Sequence, residues 1–550
     1  MPALAGQMMA MPLLISSLIR HAARHSGDTE IVSKRVEGDV HRTNWGEVEA
    51  RSRRVAQALA RLGCQPGDRV ATLAWNGYRH LELYYGASGS GLVLHTINPR
   101  LFPEQIAWIA NDAADSVLCF DLTFLPLVEK LAAELKTVKH LVLMTDRAHM
   151  PASSALPQLL CYEELVGAEN GEYAWPPLDE NSASSICYTS GTTGHPKGAV
   201  YSHRSTVLHA FGSALPDAMD CCARDVILPV VPMFHVNAWG LPYSGALVGA
   251  KLVFPGPHLD GKSLFELFEA EKVTFSAGVP TVWLGLLTYM KTNGLKFSTF
   301  KRTVIGGSAC PPAMMKTLQD DFGVEVIHAW GMTELSPLGT LSKLTSKQEA
   351  LPKEAQQRLL EKQGRVIFGI DMAIIDDDGR SLPWDGQSAG NLVVRGGWVI
   401  DSYFGHAGES PLVTVDGDPG WFPTGDVATI DADGFMQITD RSKDVIKSGG
   451  EWISSIDLEN IAMAHPAVHE AAAIACKHPK WDERPLLVVV AKPGATVSRD
   501  ELLGFFEGKI AKWQIPDGVA FVAEIPHTAT GKVQKLKLRD QFKGYQLPGT

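Results

Sequence analysis

The 550-residue chain carries a net charge of −11, with 45% hydrophobic and 20% charged residues. Single hydrophobic cores stop growing near ~250–300 residues, so more than one domain is expected, with the balance of an ordinary globular protein. The acidic surplus argues against a nucleic-acid partner and requires any anionic ligand to be held by a local site.

Met8 to Ile19 is apolar but short, and it has no basic leader or small-residue cleavage site. It predicts the start of a helix, not a signal peptide. No apolar run reaches the ~18 residues of a membrane span. Asn44 to Leu62 has apolar residues at helical spacing and is stopped by Gly63. Arg69 to Trp75 reads as a buried strand, Asn98-Pro99-Arg100 as a turn, and Pro103 to Ala110 as a helix with proline at its first position. Ser116 to Phe120 and His140 to Met144 are further strands, and residues 145 to 180 read as an irregular surface excursion. Strand candidates continue at Ser185 to Tyr188, Asp225 to Val231, Val273 to Ala277, Thr303 to Ile305, Met372 to Ile375 and Leu392 to Arg395. Residues 340 to 362 are charged and predict exposed helix and loop. The alternation predicts α/β architecture with largely parallel sheets.

Near Asp440 the texture changes. Asp440 to Gly450 is charged and glycine-rich, as in a linker with a task. Beyond it, Ser455 to Ala464 and Asp500 to Lys512 predict helices, and Ala471 to Ala475, Leu486 to Ala491 and Val519 to Val522 predict strands. This is a compact α+β unit of roughly 110 residues. The expected division is therefore 1–439 and 440–550. The eight cysteines are scattered without a C-x-x-C pair, which predicts reduced thiols and a cytoplasmic protein.

The densest chemical signal is Tyr188 to Gly198, YTSGTTGHPKG. Its glycines permit sharp turns and close backbone approach, successive N–H groups form an anion nest, and hydroxyls and Lys197 add donors and charge. A polyphosphate is the simplest ligand. No Gly-Lys-Ser/Thr is present, so it is not the P-loop of kinases and GTPases.

This string resembles the phosphate loop of the adenylate-forming superfamily of acyl-CoA synthetases, luciferases and peptide-synthetase adenylation domains. Further matches run from about residue 40 to Lys532. The likeness is strongest to bacterial medium- and long-chain fatty acyl-CoA synthetases of the alkane-degradation type, with 3-methylmercaptopropionyl-CoA ligases nearly as similar. The resemblance implies a large N-terminal AMP-binding domain of stacked α/β subdomains with a β-barrel-like part, and a small mobile α+β lid.

It also implies roles for particular residues. Thr189, Ser190, Gly191, Thr192, Thr193, Gly194 and Lys197 would hold the nucleotide phosphates. Gly307, Ser308, Ala309, His328, Ala329, Trp330, Gly331, Met332 and Thr333 would border the nucleotide, with Trp330 as the planar face for adenine. Most relatives have tyrosine there, so a bond from a phenol is in doubt. Thr333 would contact the α-phosphate, and Glu334 with Thr193 would hold Mg²⁺. Asp426 resembles the aspartate that accepts both ribose hydroxyls, and Arg441 its partner. Lys532 resembles the lysine that bridges carboxylate and α-phosphate during adenylation.

His235 resembles the histidine beside the acyl carboxylate. Trp239 would share its face if this stretch is helical, and would gate an acyl pocket formed with Gly306, Gly307, Trp330 and Gly331. Lys443, Lys447, Ser448, Gly449, Gly450, Glu451 and Trp452 resemble the loop that lines the pantetheine channel, and Asp440 resembles the hinge. The implied reaction is ATP-dependent ligation of a fatty acid, medium-chain by preference, to coenzyme A through an acyl-adenylate, with Mg²⁺ and in a homodimer. A methylmercaptopropionate or other short-acid ligase, a long-chain ligase, a luciferase-type oxygenase and a non-catalytic nucleotide or acyl binder remain open alternatives.

Overall fold

The computed structural model describes residues 6–189, 195–405, 409–448, 451–527 and 533–548, with the side chains of 451 and 452 left out. A large N-terminal domain of sheets and helices is followed by a smaller C-terminal domain.

Two broad sheets form the first part. One has seven strands in the order Leu160–Cys161, His140–Leu143, Asp115–Phe120, Arg69–Leu73, Val93–Thr96, Ala183–Tyr188 and Gly198–Ser202. All neighbours are parallel except the last pair. The other has nine strands, with a parallel centre from Glu325–Gly331 through Arg302–Ile305, Phe275–Gly278, Val226–Pro229 and Lys251–Phe254 to Glu30–Lys34. Antiparallel strands cap it at both ends. Covered on both faces, the central strands are almost wholly buried, which is why they read as continuous apolar runs in the sequence.

The helix Trp45–Arg61 forms as its spacing predicts, and Asn44 caps it by accepting the Glu47 N–H at 2.9 Å. The part expected to be barrel-like is a five-stranded antiparallel sheet of Ile370–Ile375, Gly390–Gly396, Asp418–Ile430, Val413–Val415 and Met436–Arg441. The C-terminal sheet pairs Val468–His478 with Asp482–Ala491 in a long hairpin, flanked by Ile446–Ser448, Glu451–Ile453 and Gly518–Phe521.

Three sequence expectations change. Residues 145 to 180 are not merely a surface excursion: Tyr162 is fully buried, and Glu163 pairs with Arg51 at 2.8 Å and Arg79 at 2.8 Å. The helix expected over Asp500 to Lys512 is confined to Arg499–Gly504. Gly504 closes it, weakening continuation, and the chain beyond turns through Gly508 at φ +75°. The linker after Asp440 is also more ordered than a loop, since Met436–Arg441 continues through Asp440 as a strand and Ile446–Ser448 joins the C-terminal sheet.

Candidate active site

Two antiparallel strands, Ala183–Tyr188 and Gly198–Ser202, carry the phosphate loop between them. Ser190 to Gly194 lie outside the described residues. The loop's base is closed by a reciprocal pair: Thr189 N–H donates to the Lys197 carbonyl at 2.9 Å, and Lys197 N–H donates to Thr189 Oγ1 at 3.2 Å. Below it the Tyr188 hydroxyl donates to Asp112 at 2.6 Å. Lys197 Nζ stands 4.9 Å from the centre of the Tyr403 ring, a cation–π contact.

The strand Glu325–Gly331 delivers Trp330 to the next part of the site. A Cβ built on Gly339 would come within 2.4 Å of the Trp330 ring, so only glycine there lets the indole lie flat. Gly331 is equally constrained, because a Cβ would sit 2.1 Å from the Pro337 carbonyl oxygen. The Trp330 indole N–H donates to Asp426 Oδ2 at 2.9 Å. Arg441 Nε holds Asp426 Oδ1 at 2.8 Å. Asp426 is 3% exposed, so its carboxylate is fixed by one buried donor and one partly exposed cation.

His328 is buried, and both its ring nitrogens are engaged: Nε2 accepts the Cys310 N–H at 3.1 Å, and Nδ1 lies 2.9 Å from the Glu361 carbonyl oxygen. Burial pushes this imidazole down to about 4, which keeps it neutral. Its neighbour Ala329 turns its carbonyl toward Gly306, where a Cβ would lie 2.9 Å from that oxygen. Gly307, Ser308 and Ala309 follow on an exposed loop. Met332 N–H donates to the Pro337 carbonyl at 3.0 Å.

Thr333 and Glu334 are buried on the short turn that follows. The Tyr201 hydroxyl donates to the Thr333 carbonyl at 2.6 Å. The Tyr403 hydroxyl donates to Glu334 Oε1 at 2.7 Å. Burial, then the Glu334 charge, raises the Tyr403 phenol above its ordinary value and keeps it a donor. Tyr403 therefore touches both the expected metal carboxylate and the phosphate-loop lysine. Nothing in its sequence neighbourhood marks it. The donor set fits Mg²⁺, which takes one or two carboxylates together with phosphate oxygens: Glu334 presents a buried carboxylate with one oxygen oriented by Tyr403.

The stretch after His235 departs from expectation. Val236, Asn237, Ala238 and Trp239 have φ of 45°, 52°, 50° and 56°, a left-handed turn and not a right-handed helix. The helical face-sharing of His235 and Trp239 does not apply. Left-handed backbone costs roughly 1–2 kcal/mol per L-residue, so packing and hydrogen bonds must hold this turn. The turn places Trp239, 8% exposed, against the glycine pair: a Cβ on Gly306 would lie 3.4 Å from the indole and one on Gly307 3.8 Å. Val279 completes this wall, 3.2 Å from the same Gly307 position. His235 is half-buried, its N–H donating to the Pro232 carbonyl at 3.1 Å.

Asp440 is 1% exposed. Its carboxylate accepts the Ser455 N–H at 2.5 Å, the Ser455 hydroxyl at 2.9 Å and the Arg441 N–H at 2.7 Å. Burial raises this acid, against the pull of Lys535 and these donors. Lys535 reaches Glu459 at 2.7 Å, and Arg539 reaches Asp444 at 2.7 Å, so the last helix, Lys535–Gln541, clasps the segment beyond the hinge position. Lys447 N–H donates to Glu483 at 2.8 Å, and Ser448 Oγ accepts from Arg484 at 3.2 Å. Lys443 is exposed, and its carbonyl accepts from Arg539 at 3.2 Å. Gly449, Gly450 and Lys532 lie outside the described residues, as do the side chains of Glu451 and Trp452.

A buried Asp426 carboxylate held by the Trp330 indole, and a buried Glu334 oriented by Tyr403, fit an enzyme that activates acids with a nucleotide. The fold agrees: an anthranilate–CoA ligase solved in complex with anthranoyl-AMP superposes with a TM-score of 0.83 at 24% identity, covering 97% of this chain and 99% of that one. The chain belongs to the AMP-binding enzyme family, which it matches over residues 18–404, with the family's C-terminal domain at 457–532. It is 58% identical to a 3-methylmercaptopropionyl-CoA ligase of Ruegeria lacuscaerulensis over 98% of this chain and 99% of that one. It is 53% identical to a medium-chain-fatty-acid–CoA ligase of Ectopseudomonas oleovorans over 98% and 97%. The protein is an AMP-forming acid–thiol ligase that uses ATP, Mg²⁺ and coenzyme A. Among the described residues no helix is long and apolar enough to cross a membrane.

Proposed function

We propose that the acid is a medium-chain fatty acid. The observation that carries this reading is the apolar wall of Trp239, Val279 and the Gly306–Gly307 pair, whose Trp239 stands four residues after His235 along the chain. An acyl tail entering there gains about 0.8 kcal/mol for each methylene buried. The 58% identity to the methylmercaptopropionate ligase favours a second reading, in which the tail is short and carries sulfur. Pyrophosphate release measured with acids from propionate to palmitate, and with 3-methylmercaptopropionate, separates the two. An optimum at the shortest acids would overturn the first.

In the proposed first step an oxygen of the acid attacks the α-phosphorus of ATP and pyrophosphate leaves. Lys532 stabilises the extra negative charge of that transition state, and Thr333 contacts the α-phosphate. His235 stands beside the carboxylate, Trp330 carries the adenine, and Asp426 with Arg441 receives the ribose. Glu334 and Thr193 would hold Mg²⁺, which supplies neutralisation of phosphate charge.

In the second step the thiol of coenzyme A attacks the acyl carbonyl and AMP leaves. Residues 440–550 are proposed to turn about Asp440 between the steps, bringing the Lys443 to Trp452 loop against the pantetheine arm. Support comes from the buried Asp440–Ser455 bonds at the boundary, which give the turning segment a fixed root. The enzyme is proposed to act in the cytoplasm as a homodimer. Sedimentation at micromolar concentration tests the dimer, and a monomer would remove it.

A further inference from the structure

The acyl wall depends on a left-handed turn, and one buried side chain ties that turn to the rest of the site. Asn237 is 3% exposed. Its Nδ2 donates to Ser185 Oγ at 3.1 Å. Its Oδ1 faces the Tyr84 hydroxyl at 3.3 Å, Thr96 Oγ1 at 3.5 Å and Cys187 Sγ at 3.5 Å. Ser185 and Cys187 belong to Ala183–Tyr188, the strand that runs into the phosphate loop, and Thr96 ends the adjacent strand. Tyr84 also donates to the Met233 carbonyl at 2.5 Å, just before the turn.

Asparagine is among the few L-residues that enter left-handed backbone readily, because its short polar side chain bonds locally. Val236, Ala238 and Trp239 have no such aptitude, least of all the β-branched Val236. Four successive residues at φ between 45° and 56° therefore persist only where their surroundings over-determine them. The Ala238 N–H is held by the Pro232 carbonyl at 3.2 Å and the His235 carbonyl at 3.3 Å, but these bonds lie within the turn itself. The Asn237 amide links the turn by its side chain to the strand beneath, beside the contacts that the Cys187 thiol makes with the turn.

We propose that Asn237 is a positioning residue for acyl selectivity: by pinning the left-handed turn to Ser185, it fixes the Trp239 indole over Gly306–Gly307 without lining the pocket itself. Relaxation of the turn toward right-handed backbone changes the direction in which Trp239 leaves the chain and so removes the wall. The inference rests on the proposed role of Trp239 in the acyl pocket.

The test compares Asn237→Ala, Asn237→Gly, Ser185→Ala and Trp239→Ala. The readouts are kcat/KM for acids from propionate to palmitate, KM for ATP, and the thermal shift given by non-hydrolysable acyl-sulfamoyl adenosines of graded tail length. Asn237→Ala is expected to shift the long-to-short selectivity ratio by ~10-fold, in the same direction as Trp239→Ala, since displacements near 1 Å cost up to ~10²-fold. The thermal shift should lose its dependence on tail length in parallel, while KM for ATP stays within about twofold. Asn237→Gly keeps the left-handed preference without the amide, so it should move the ratio less, as should Ser185→Ala, which removes one bond and is the working variant if Asn237→Ala does not fold. A shift with Trp239→Ala but none with Asn237→Ala and Ser185→Ala overturns this inference and leaves the acyl wall standing. No shift with Trp239→Ala overturns both.

Discussion

Trp330→Phe isolates the bond between the indole and Asp426. The substitution keeps a flat ring over Gly339 and removes the donor that sits 2.9 Å from Asp426 Oδ2. Asp426 is then left with Arg441, whose side chain is 43% exposed and so contributes weakly. A hydrogen bond to a charged group is worth about 1.5–3 kcal/mol, and a carboxylate 3% exposed has little water to replace it. If that carboxylate receives the ribose, its orientation loosens and part of this energy is lost from nucleotide binding. Each 1.4 kcal/mol is tenfold in affinity, so Kd for ATP should rise ~10-fold and up to ~10²-fold. Calorimetric titration of the variant with ATP and with adenosine measures it, and thermal unfolding separates the stability cost. The acid-length profile should not move. An ATP Kd within twofold of the parent, in a variant that unfolds at its usual temperature, would refute the assignment of Asp426 to the ribose.

Lys532→Ala should slow adenylation by ~10²-fold or more, the scale of removing a group aimed at transition-state charge, yet spare thioester formation from synthetic acyl-AMP and CoA; equal loss in both assays would sink its role. A bulky residue at Gly449 should give the reverse, with acyl-AMP formed and stalled, and equal loss of both half-reactions would count against the pantetheine channel. Tyr403→Phe frees Glu334 Oε1, so the Mg²⁺ concentration for half-maximal adenylation should rise several-fold while KM for the acid is unchanged; an unaltered Mg²⁺ requirement would separate Tyr403 from the metal. Burial holds His80, His203 and His328 down to about 4 and His209 to about 3, below the ordinary 6.5. The unfolded chain binds protons on them first, so their stabilising effect is present above pH 6.5 and is lost as pH falls toward 4. Asp121, raised to about 7 by burial, opposes them in part, as do Glu82, Asp115 and Asp440, which burial also raises. Each proton taken up on net makes unfolding easier by up to ~1.4 kcal/mol per pH unit, and a urea midpoint constant from pH 6.5 to 4.5 would contradict this.

Much of the fold was legible in the chain because its physics is local. The buried parallel strands are apolar runs, and the helix Trp45–Arg61 is a periodic stripe behind an asparagine cap. The shorter helix at Arg499–Gly504 and the strands Met436–Arg441 and Ile446–Ser448 were not legible: the glycines that follow the helix's last turn set one, and pairing with distant strands set the others.

Residue types at the site were likewise readable from contiguous motifs, since each motif is a short backbone geometry with its own side chains. What the sequence by itself determined is therefore the class of chemistry, through a glycine-rich loop, a planar ring followed by a carboxylate, and a smaller second domain. Which side chains meet was decided only by the tertiary structure. Trp330 and Asp426 are 96 positions apart, and Tyr403 and Glu334 are 69. No periodicity links either pair, because each contact depends on how separate sheets pack. The turn at Val236 to Trp239 belongs to the same group: spacing rules presume right-handed backbone, and here Ser185 and Tyr84, far along the chain, hold it in the opposite hand.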